Sequence, residues 1–474
     1  MKRNLFSIII ILILFVLSIF SLYQLRKKSL ITENFNLILI SIDTLRPDHM
    51  GIYGYSKNTT PNIDRWSQTA NVYTNAYTVV PWTFSSFFAL FTGTRPYAEI
   101  SQMIKQIKND MNRTTIPEIL IRNKFKTAAF ITNPVIGIFS DFFKKGFENF
   151  EFVDMSNSTE KQHINSYNYD GKNALEVTNK SIDWIVKNLS EKFFVLLHYT
   201  TPHIPYNPDK KYICALDKNC DLEKYSHIMS EKFPNSIFID SCNKKMESET
   251  IDSGIMLYDA EILSVDEQVG RILTEIKNLD LNKKTVIIIY GDHGEGFDHD
   301  MFGHGFSLYN YGIKIPLIIK RPESSEGNRV DTLIDNRDIL PSILDLLRIK
   351  YSNDSIKGNS FIYPAKQNRE KYLYSSTARL NSVKLSVQDK DYKYIITKGD
   401  GCLYHDLHEE FYNLQTDKDE ITNVIDIEKD KAKKYKESLI NELRNDPELL
   451  NDFKNDPVTN FPSDTLNTLK KLGY

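Results

Sequence analysis

The chain has neither an excess of one charge nor many cysteines. Its 474 residues carry 59 Lys and Arg against 62 Asp and Glu, which gives a net charge of −3. A nucleic-acid-binding protein normally has a basic excess, so the charge balance argues against nucleic acid as a partner. An apolar fraction of 41% beside 26% charged residues is typical of a globular protein and argues against broad disorder.

The four cysteines, Cys214, Cys220, Cys242 and Cys402, form no CxxC pair, which leaves zinc-finger and redox motifs without support. In an exported chain one or two disulfides are plausible, and a Cys214–Cys220 pair would close a tight surface loop. Free buried thiols are the alternative. The mixed composition of residues 214–250 indicates an insertion or a lid-like loop.

Only one long apolar run occurs, at residues 5–25, with basic residues on both sides. Its length suits a helix that spans a bilayer. Residues 18–21 are a poor match to a signal-peptide cleavage site. We therefore expect residues 1–28 to be an uncleaved transmembrane anchor, with a signal segment as the alternative. The rest of the chain is then exported on the membrane or secreted.

Strand-like and helix-like segments alternate between residues 36 and 350. Apolar, branched runs at 37–43, 125–132, 193–198, 286–293 and 315–320 indicate strands, and the patterns at 116–123 and 252–279 indicate helices. This alternation predicts an α/β fold with a mostly parallel central sheet flanked by helices.

The pattern changes after residue 370. Short strand-like segments at 372–375, 383–387 and 392–396 predict a small C-terminal antiparallel subdomain over residues 370–425. Residues 426–474 are highly charged and have helical propensity, so we expect a solvated helical tail without chemistry of its own.

Two of the buried strands end at side chains that bind metals. Asp43 follows the first strand, and Asp292 and His293 follow the strand that begins near residue 286. Ligands of open α/β sheets lie beyond the carboxyl ends of the strands, so a metal-centred active site is expected there. Thr83 begins a helix-like segment between them, where it is either a nucleophile near an anion-binding helix N-terminus or merely a helix cap.

Four segments, in this order, resemble the sulfatase family of the alkaline-phosphatase superfamily, and the resemblance runs from about residue 36 to residue 423. The segments are Asp43-Thr44-Leu45-Arg46 with Thr60-Pro61-Asn62-Ile63-Asp64, then residues 81–93 ending in Thr92-Gly93, then His198 to Tyr206, and finally Gly291-Asp292-His293-Gly294-Glu295 with Gly303-His304-Gly305. The resemblance implies a metal-dependent hydrolase of sulfate or phosphate esters.

The resemblance also assigns roles to individual residues. Asp43, Thr83, Asp292 and His293 would hold one divalent cation, and His203 and His304 would stabilise the oxyanion and the leaving group. Arg46 and, more weakly, Lys393 would bind the anionic substrate. Apart from the resemblance, we expect His198 to be structural and Asp298, His299 and Asp300 to be loop charges. A set of carboxylate and imidazole ligands favours Zn or Mn, with Ca or Mg possible.

The nucleophile segment departs from the family pattern. Thr83 stands where sulfatases carry a Cys or Ser that is oxidised to formylglycine, and Phe87 stands where they carry an arginine. Thr44 also replaces a second acid. Oxidation of threonine would give a ketone, so no formylglycine is expected and phosphoester chemistry is favoured.

The expected substrate is an anionic ester of a glycan, a lipid or a small molecule. One alternative is a transferase of the phosphoethanolamine or glycerol-phosphate type, although those enzymes often carry several transmembrane helices ahead of the catalytic domain. The other alternative is a catalytically inactive protein that keeps the fold and binds a ligand.

Overall fold

The computed structural model describes residues 35–153, 172–221, 224–225, 247–299, 302–322, 324–352, 355–362, 372–379, 382–399 and 408–454. The predicted N-terminal anchor and most of the predicted insertion between residues 214 and 250 lie outside these ranges. Within them, no helix combines the length and the apolar character that crossing a membrane requires.

An eight-stranded sheet forms the centre of the larger part of the molecule, in the spatial order β4-β3-β5-β1-β6-β7-β2-β8. Its strands are β1 (Asn36–Ile42), β2 (Asn71–Tyr77), β3 (Lys126–Ile131), β4 (Asn149–Phe152), β5 (Phe193–Tyr199), β6 (Thr285–Gly291), β7 (Lys314–Lys320) and β8 (Asn328–Asp335). All pairings are parallel except those of β7, which runs antiparallel to both β6 and β2.

The helices of this part are α1 (Pro61–Ser67), α2 (Thr83–Thr92), α3 (Ile100–Asn109), α4 (Ile116–Arg122), α5 (Pro134–Ile138), α6 (Ser140–Phe143), α7 (Lys172–Lys187), α8 (Lys210–Leu216), α9 (Ser248–Asn278), α10 (Asn310–Ile313) and α11 (Ile339–Leu346). Short 3₁₀ turns cover Pro47–His49, Gly51–Tyr53, Leu281–Lys283 and Asn336–Asp338.

Successive side chains of β1 point to opposite sides of the sheet, and both sides are covered by apolar residues. Leu37 and Leu39 pack into the same hydrophobic cluster as the phenylalanines of α2. Ile38 and Ile40 pack into the opposite cluster together with the apolar side of α9. Such a strand must be apolar throughout its length, which is the pattern its sequence shows. The predicted α/β fold with a mostly parallel sheet is confirmed.

The predicted strands and helices are present, with ends that differ by a few residues. The prediction did not include β2, β4 or β8. The edge strand β4 is short, and both β2 and the edge strand β8 carry many polar residues, so these segments lack the continuous apolar run of a central strand. The antiparallel direction of β7 also could not be seen in its composition.

A separate antiparallel sheet has the order β12-β11-β10-β9, with β9 (Leu373–Arg379), β10 (Ser382–Gln388), β11 (Tyr392–Gly399) and β12 (His408–Asn413). The helices α12 (Lys429–Asn445) and α13 (Pro447–Lys454) follow it. The predicted antiparallel C-terminal sheet is therefore confirmed. Its apolar face shares a hydrophobic cluster with α2, so the two sheets form one continuous core.

The cysteines Cys214 and Cys220 are joined by a disulfide. The structure thus selects the pairing that the sequence left open against free thiols at these two positions. Cys242 and Cys402 lie outside the described residues.

The loop that follows β1 is fastened to α9 by one buried carboxylate. Asp259 lies 2.7 Å from His49 Nδ1 through Oδ1, and its Oδ2 accepts hydrogen bonds from the Tyr55 hydroxyl at 2.7 Å and from Lys57 Nζ at 2.8 Å. The side chain of Asp259 is fully buried. These contacts hold residues 49–57, within the loop that follows Asp43, in place.

We expect the Asp259→Ala variant to lower the free energy of unfolding by about 3 kcal/mol, because it leaves the buried His49 and the half-buried Tyr55 and Lys57 without their acceptor. Urea unfolding followed by circular dichroism measures the change. The matched control is Asp252→Ala on the exposed side of the same helix, which should change the stability little. Equal stabilities of the two variants would contradict this account of the loop.

Candidate active site

The carboxyl ends of β1 and β6 lie side by side, because Ile42 pairs with Gly291 in the parallel register. The next residues, Asp43 and Asp292, are therefore neighbours, and both are fully buried. His293 joins them, and one potential ligand atom from each of these three side chains lies within 4.8 Å of the others. Asp43 and the adjacent pair Asp292 and His293, three of the four residues that the sequence suggested as metal ligands, thus lie together although Asp43 is far from the pair along the chain.

The hydroxyl of Thr83 lies at the same point. Its Oγ1 is 3.1 Å from His293 Nε2 and 3.4 Å from Asp43 Oδ1. Thr83 is the first residue of α2, Trp82 is the N-cap, and no side chain caps this helix end. The hydroxyl therefore points to the side chains of Asp43, Asp292 and His293, which we call the acidic group, instead of capping the helix backbone.

The two carboxylates are electrostatically unfavourable as they stand. Burial raises the pKa of Asp43 well above its usual value, and the charge of Asp292 raises it further. Burial also raises the pKa of Asp292. Within the described part of the chain, Asp292 Oδ2 accepts no hydrogen bond although it is buried. Two such carboxylates beside an imidazole fit a divalent cation, whose charge would offset the burial of both acids.

Further donors hold the carboxylates in position. Asn133 donates from Nδ2 to Asp43 Oδ2 at 2.7 Å. The backbone amides of Thr44 and His293 both donate to Asp292 Oδ1, at 3.1 and 2.9 Å. Sequence reasoning missed Asn133, although it stands two residues beyond β3 much as Asp43 stands beyond β1. The polar residue at the end of a buried strand was the signal that could have found it.

The imidazoles of His203 and His304 lie beside the acidic group. The ring centroid of His304 is 4.6 Å from that of His293 and 4.7 Å from that of His203. His304 Nδ1 is 3.1 Å from Glu295 Oε1, a partner that the sequence did not suggest. Burial, followed by the charge of His304, lowers the pKa of His203 to about 3, and burial lowers the pKa of His304 well below its usual value. Both rings are therefore neutral at pH 7 before a substrate binds.

The side chain of His198 lies near Asp43, and its structural role stays a prediction. Its Nδ1 is 3.1 Å from Ser41 Oγ, and its Nε2 is 3.8 Å from Asp43 Oδ2. The ring of Phe87 packs edge-on against it at 4.8 Å between centroids. Phe87 stands where the nucleophile motif of sulfatases has an arginine, and its aromatic ring is part of the core.

The predicted substrate-binding residue Arg46 already has anionic partners. It donates to Asp48 Oδ2 at 2.6 Å and, through Nη1, to Asp298 Oδ2 and the carbonyl oxygen of Glu295, both at 2.9 Å. Arg46 also lines a cavity of about 480 Å³ whose lining includes neither Thr83 nor the three acidic-group residues. Asp298, expected to be a simple loop charge, is instead an ion-pair partner.

The other predicted substrate-binding residue, Lys393, has no exposed side-chain surface. Its Nζ lies 2.7 Å from Glu420 Oε1 and donates to Asn310 Oδ1 at 2.8 Å.

The structure therefore joins Thr83, Asp43, Asp292, His293, His203 and His304, and gives Arg46 and Lys393 other partners. Substrate binding by these two residues stays a prediction. His299 bonds through Nε2 to the backbone of Glu420, and Asp300 is outside the described residues.

Two protein-family models match this chain. A family model described as sulfatase matches residues 35–349, and a second, described as the C-terminal part of N-sulphoglucosamine sulphohydrolase, matches residues 297–456. The chain belongs to the sulfatase family. This membership supports a metal-dependent hydrolase of sulfuric esters as the general class.

Individual relatives are distant but extensive. The chain is 23% identical to an arylsulfatase of Clostridium perfringens, over 92% of this chain and 99% of the relative. It is 25% identical to a sulfatase of Formosa agariphila, over 82% of each. One solved structure, a complex with the substrate D-glucosamine-2-N,6-O-disulfate, matches with a TM-score of 0.67 and 18% identity, over 89% of this chain and all of the other.

A phosphonate monoester hydrolase of Agrobacterium radiobacter has the same fold, with a TM-score of 0.63 and 16% identity over 86% of this chain and 95% of its own. Likeness at this level of identity concerns the fold alone.

We expect the purified protein, after removal of metal with a chelator, to bind one equivalent of Zn²⁺ or Mn²⁺ in calorimetric titration. Asp292→Asn should weaken this binding by at least roughly tenfold, because it removes a buried charged ligand. Asp298→Asn is the matched control, since it removes an acid that pairs with Arg46 outside the acidic group. Equal affinities of the two variants would exclude Asp292 as a ligand.

Proposed function

We propose that the protein is a metal-dependent ester hydrolase in which Thr83 is the nucleophile. The observation that supports this role is the position of Thr83 Oγ1, 3.1 Å from His293 Nε2 and 3.4 Å from Asp43 Oδ1. A side chain whose only role was packing would not need its hydroxyl among buried acids and an imidazole. Thr83 also begins α2, where the partial positive charge of the helix end favours an anionic substrate.

Asp43, Asp292 and His293 would hold the cation, with Thr83 beside them. His293 Nδ1 lies 3.0 Å from the carbonyl oxygen of Gly294, so we assign its proton to Nδ1 and leave Nε2 unprotonated toward Asp43 and Asp292. This is the tautomer that a metal ligand requires. When bound, the cation supplies positive charge that lowers the pKa of a nearby hydroxyl and offsets the charge of the ester.

The reaction then has two displacements. Thr83 Oγ1 attacks the sulfur or phosphorus atom, the bond to the leaving oxygen breaks, and the hydroxyl proton passes to a nearby base. Water next attacks the sulfur or phosphorus atom and the bond to Thr83 Oγ1 breaks. Sulfate or phosphate is released from a monoester and a phosphate monoester from a diester, and a proton restores the Thr83 hydroxyl.

His203 and His304 would serve the leaving group. Nδ1 of His203 contacts the carbonyl oxygen of Ile204, and Nδ1 of His304 contacts Glu295, so we assign the ring proton of each to Nδ1. An anionic ester bound beside the rings favours the imidazolium form, because the opposite charge stabilises it. A protonated ring can then donate to the ester oxygens or to the leaving oxygen.

We propose that phosphate esters are preferred over sulfate esters. The family's sulfate chemistry depends on an aldehyde made from Cys or Ser, and the secondary alcohol of Thr83 cannot give one. Thr83 can therefore react only through its hydroxyl. A hydroxyl activated by a nearby cation is suited to attack on phosphorus. The proposed substrate is an anionic ester, for which a phosphorylated or sulfated glycan, a lipid or a small molecule are the candidate carriers.

We also propose that the catalytic part is exported, on a membrane anchor formed by residues 1–28 or as a secreted protein. The Cys214–Cys220 disulfide supports export, because disulfides persist mainly in oxidising compartments. The uninterrupted apolar run at residues 5–25 supports the anchor.

We expect Thr83→Ala to lower kcat/KM by at least roughly 10³-fold on the best substrate of a panel of aryl phosphate diesters, phosphate monoesters and aryl sulfates. Thr83→Ser should keep much of the activity, because it keeps the hydroxyl. The rates are measured by release of the chromogenic phenol with one equivalent of metal present.

The control is Thr92→Ala, which removes a hydroxyl at the other end of α2 that donates to the carbonyl oxygen of Phe88. Full activity of Thr83→Ala would refute the nucleophile. Tight metal binding without turnover of any ester would instead favour a binding protein that keeps the fold.

A further inference from the structure

A buried arginine of the smaller sheet lies against the residue that precedes Thr83. The Cζ atom of Arg379 is 4.5 Å from the centroid of the Trp82 indole ring, and Arg379 is only 8% exposed. Trp82 is the N-cap of α2, so this guanidinium lies next to the end of the helix that carries the proposed nucleophile.

The strand β9 brings Arg379 there through contacts with two segments of the larger part. The backbone amide of Ser376 donates to the carbonyl oxygen of Val79 at 2.9 Å, and Ser375 Oγ donates to that of Thr78 at 2.9 Å. Thr377 Oγ1 bonds to the carbonyl oxygen of Gly305. The strand is thus fixed both to the chain leading to Thr83 and to the chain following His304, and Arg379 is its last residue.

The backbone next to His304 leaves room for this arginine. Gly305 has a φ of +92°, and a Cβ atom added there would lie 3.1 Å from Arg379 Nε. Arg379 is also near enough that its positive charge contributes, after burial and His293, to the lowered pKa of His304. The guanidinium is therefore close to both His304 and Trp82.

The charges of the site indicate why a guanidinium beside Trp82 and His304 would assist binding of an anionic ester. Asp43, Asp292 and Glu295 are three buried carboxylates, and one divalent cation would not by itself balance them against an incoming anionic ester. The helix α2 contains no arginine, and Phe87, which stands where sulfatases carry one, packs into the core against His198. An anionic ester bound at Thr83 therefore needs positive charge from another element.

We propose that Arg379 binds the anionic group of the ester that Thr83 attacks, while Trp82 orients the guanidinium plane by stacking on it. Planar guanidinium groups bind phosphate and sulfate oxygens through two parallel hydrogen bonds and stack well on indole rings. The larger sheet would then provide the cation site and the nucleophile, and the smaller sheet would provide the arginine. This inference rests on the proposed function, because it takes Thr83 as the point of attack.

The test uses Trp82 as the reporter. The chain has three tryptophans, so the double variant Trp66→Phe/Trp184→Phe leaves Trp82 alone. Inorganic phosphate and, separately, inorganic sulfate are titrated into the metal-loaded parent while the emission of Trp82 is recorded. We expect at least one of the two anions to bind saturably. Tighter binding of phosphate than of sulfate would agree with the proposed preference for phosphate esters.

In the same background, Arg379→Met should weaken anion binding by at least roughly tenfold, because it removes a charge-assisted pair of hydrogen bonds. Arg379→Lys should weaken it by roughly three- to tenfold, because an ammonium group keeps the charge but cannot bind two oxygens in the same plane. The control is Arg329→Met, which removes an exposed arginine whose Nη1 bonds to the carbonyl oxygen of Ile52. It should bind the anion as the parent does.

Thermal unfolding shows whether each variant is folded, and Arg379→Lys alone decides the question if Arg379→Met is not. Unchanged anion affinity of the folded Arg379 variants overturns the proposal, as does parent protein that hydrolyses an ester while neither anion affects Trp82. The titration needs no turnover. Loss of anion binding in the Arg379 variants therefore supports the arginine even if Thr83→Ala retains activity and the nucleophile assignment fails.

Discussion

Two acidic side chains buried next to each other, Asp43 and Asp292, set the main constraint on this structure. They are adjacent because β1 and β6 are parallel neighbours in register, and each acid follows directly on the last residue of its strand. Placing two carboxylates together away from water is strongly unfavourable unless positive charge and donors compensate. Asn133 and two backbone amides provide some of the donors, and a bound cation would provide the charge.

The strands β5, β1 and β6 lie in the middle of the sheet, and this position keeps the two acids buried. Strands in that position are covered on both faces by helices, so water cannot reach the acids from either side. The same burial keeps His203 and His304 neutral before a substrate arrives. Desolvation thus raises the pKa of Asp43 and Asp292 and lowers the pKa of His203 and His304.

The parts of the fold that could be predicted are those in which local pattern and burial coincide. Central strands such as β1 and β6 are uniformly apolar, and their terminal acids stand out in the sequence. Asn133 was missed although it follows a buried strand, because its contact with Asp43 joins residues that are remote along the chain. Arg379 was missed for the same reason, and the contact of Glu295 with His304 depends on how the loop between them folds. Nothing near Arg379 in the sequence indicates that β9 ends beside Trp82. Arg46 and Lys393 carry the right charge for anion binding, but whether a buried cation already has an acidic partner is visible only in three dimensions.

The attachment of β9 to the segments around Val79 and Gly305 has a consequence for how such a protein can diversify. Arg379, at the end of this strand, lies beside Trp82 and Gly305 and is not one of the strand-end acids. If Arg379 binds the ester as proposed, its replacement would alter which molecules are accepted while the acids and Thr83 stay the same. The side chains that the smaller sheet places beside Trp82 are thus separate from the acids at the ends of β1 and β6, so a change in the first leaves the second in place.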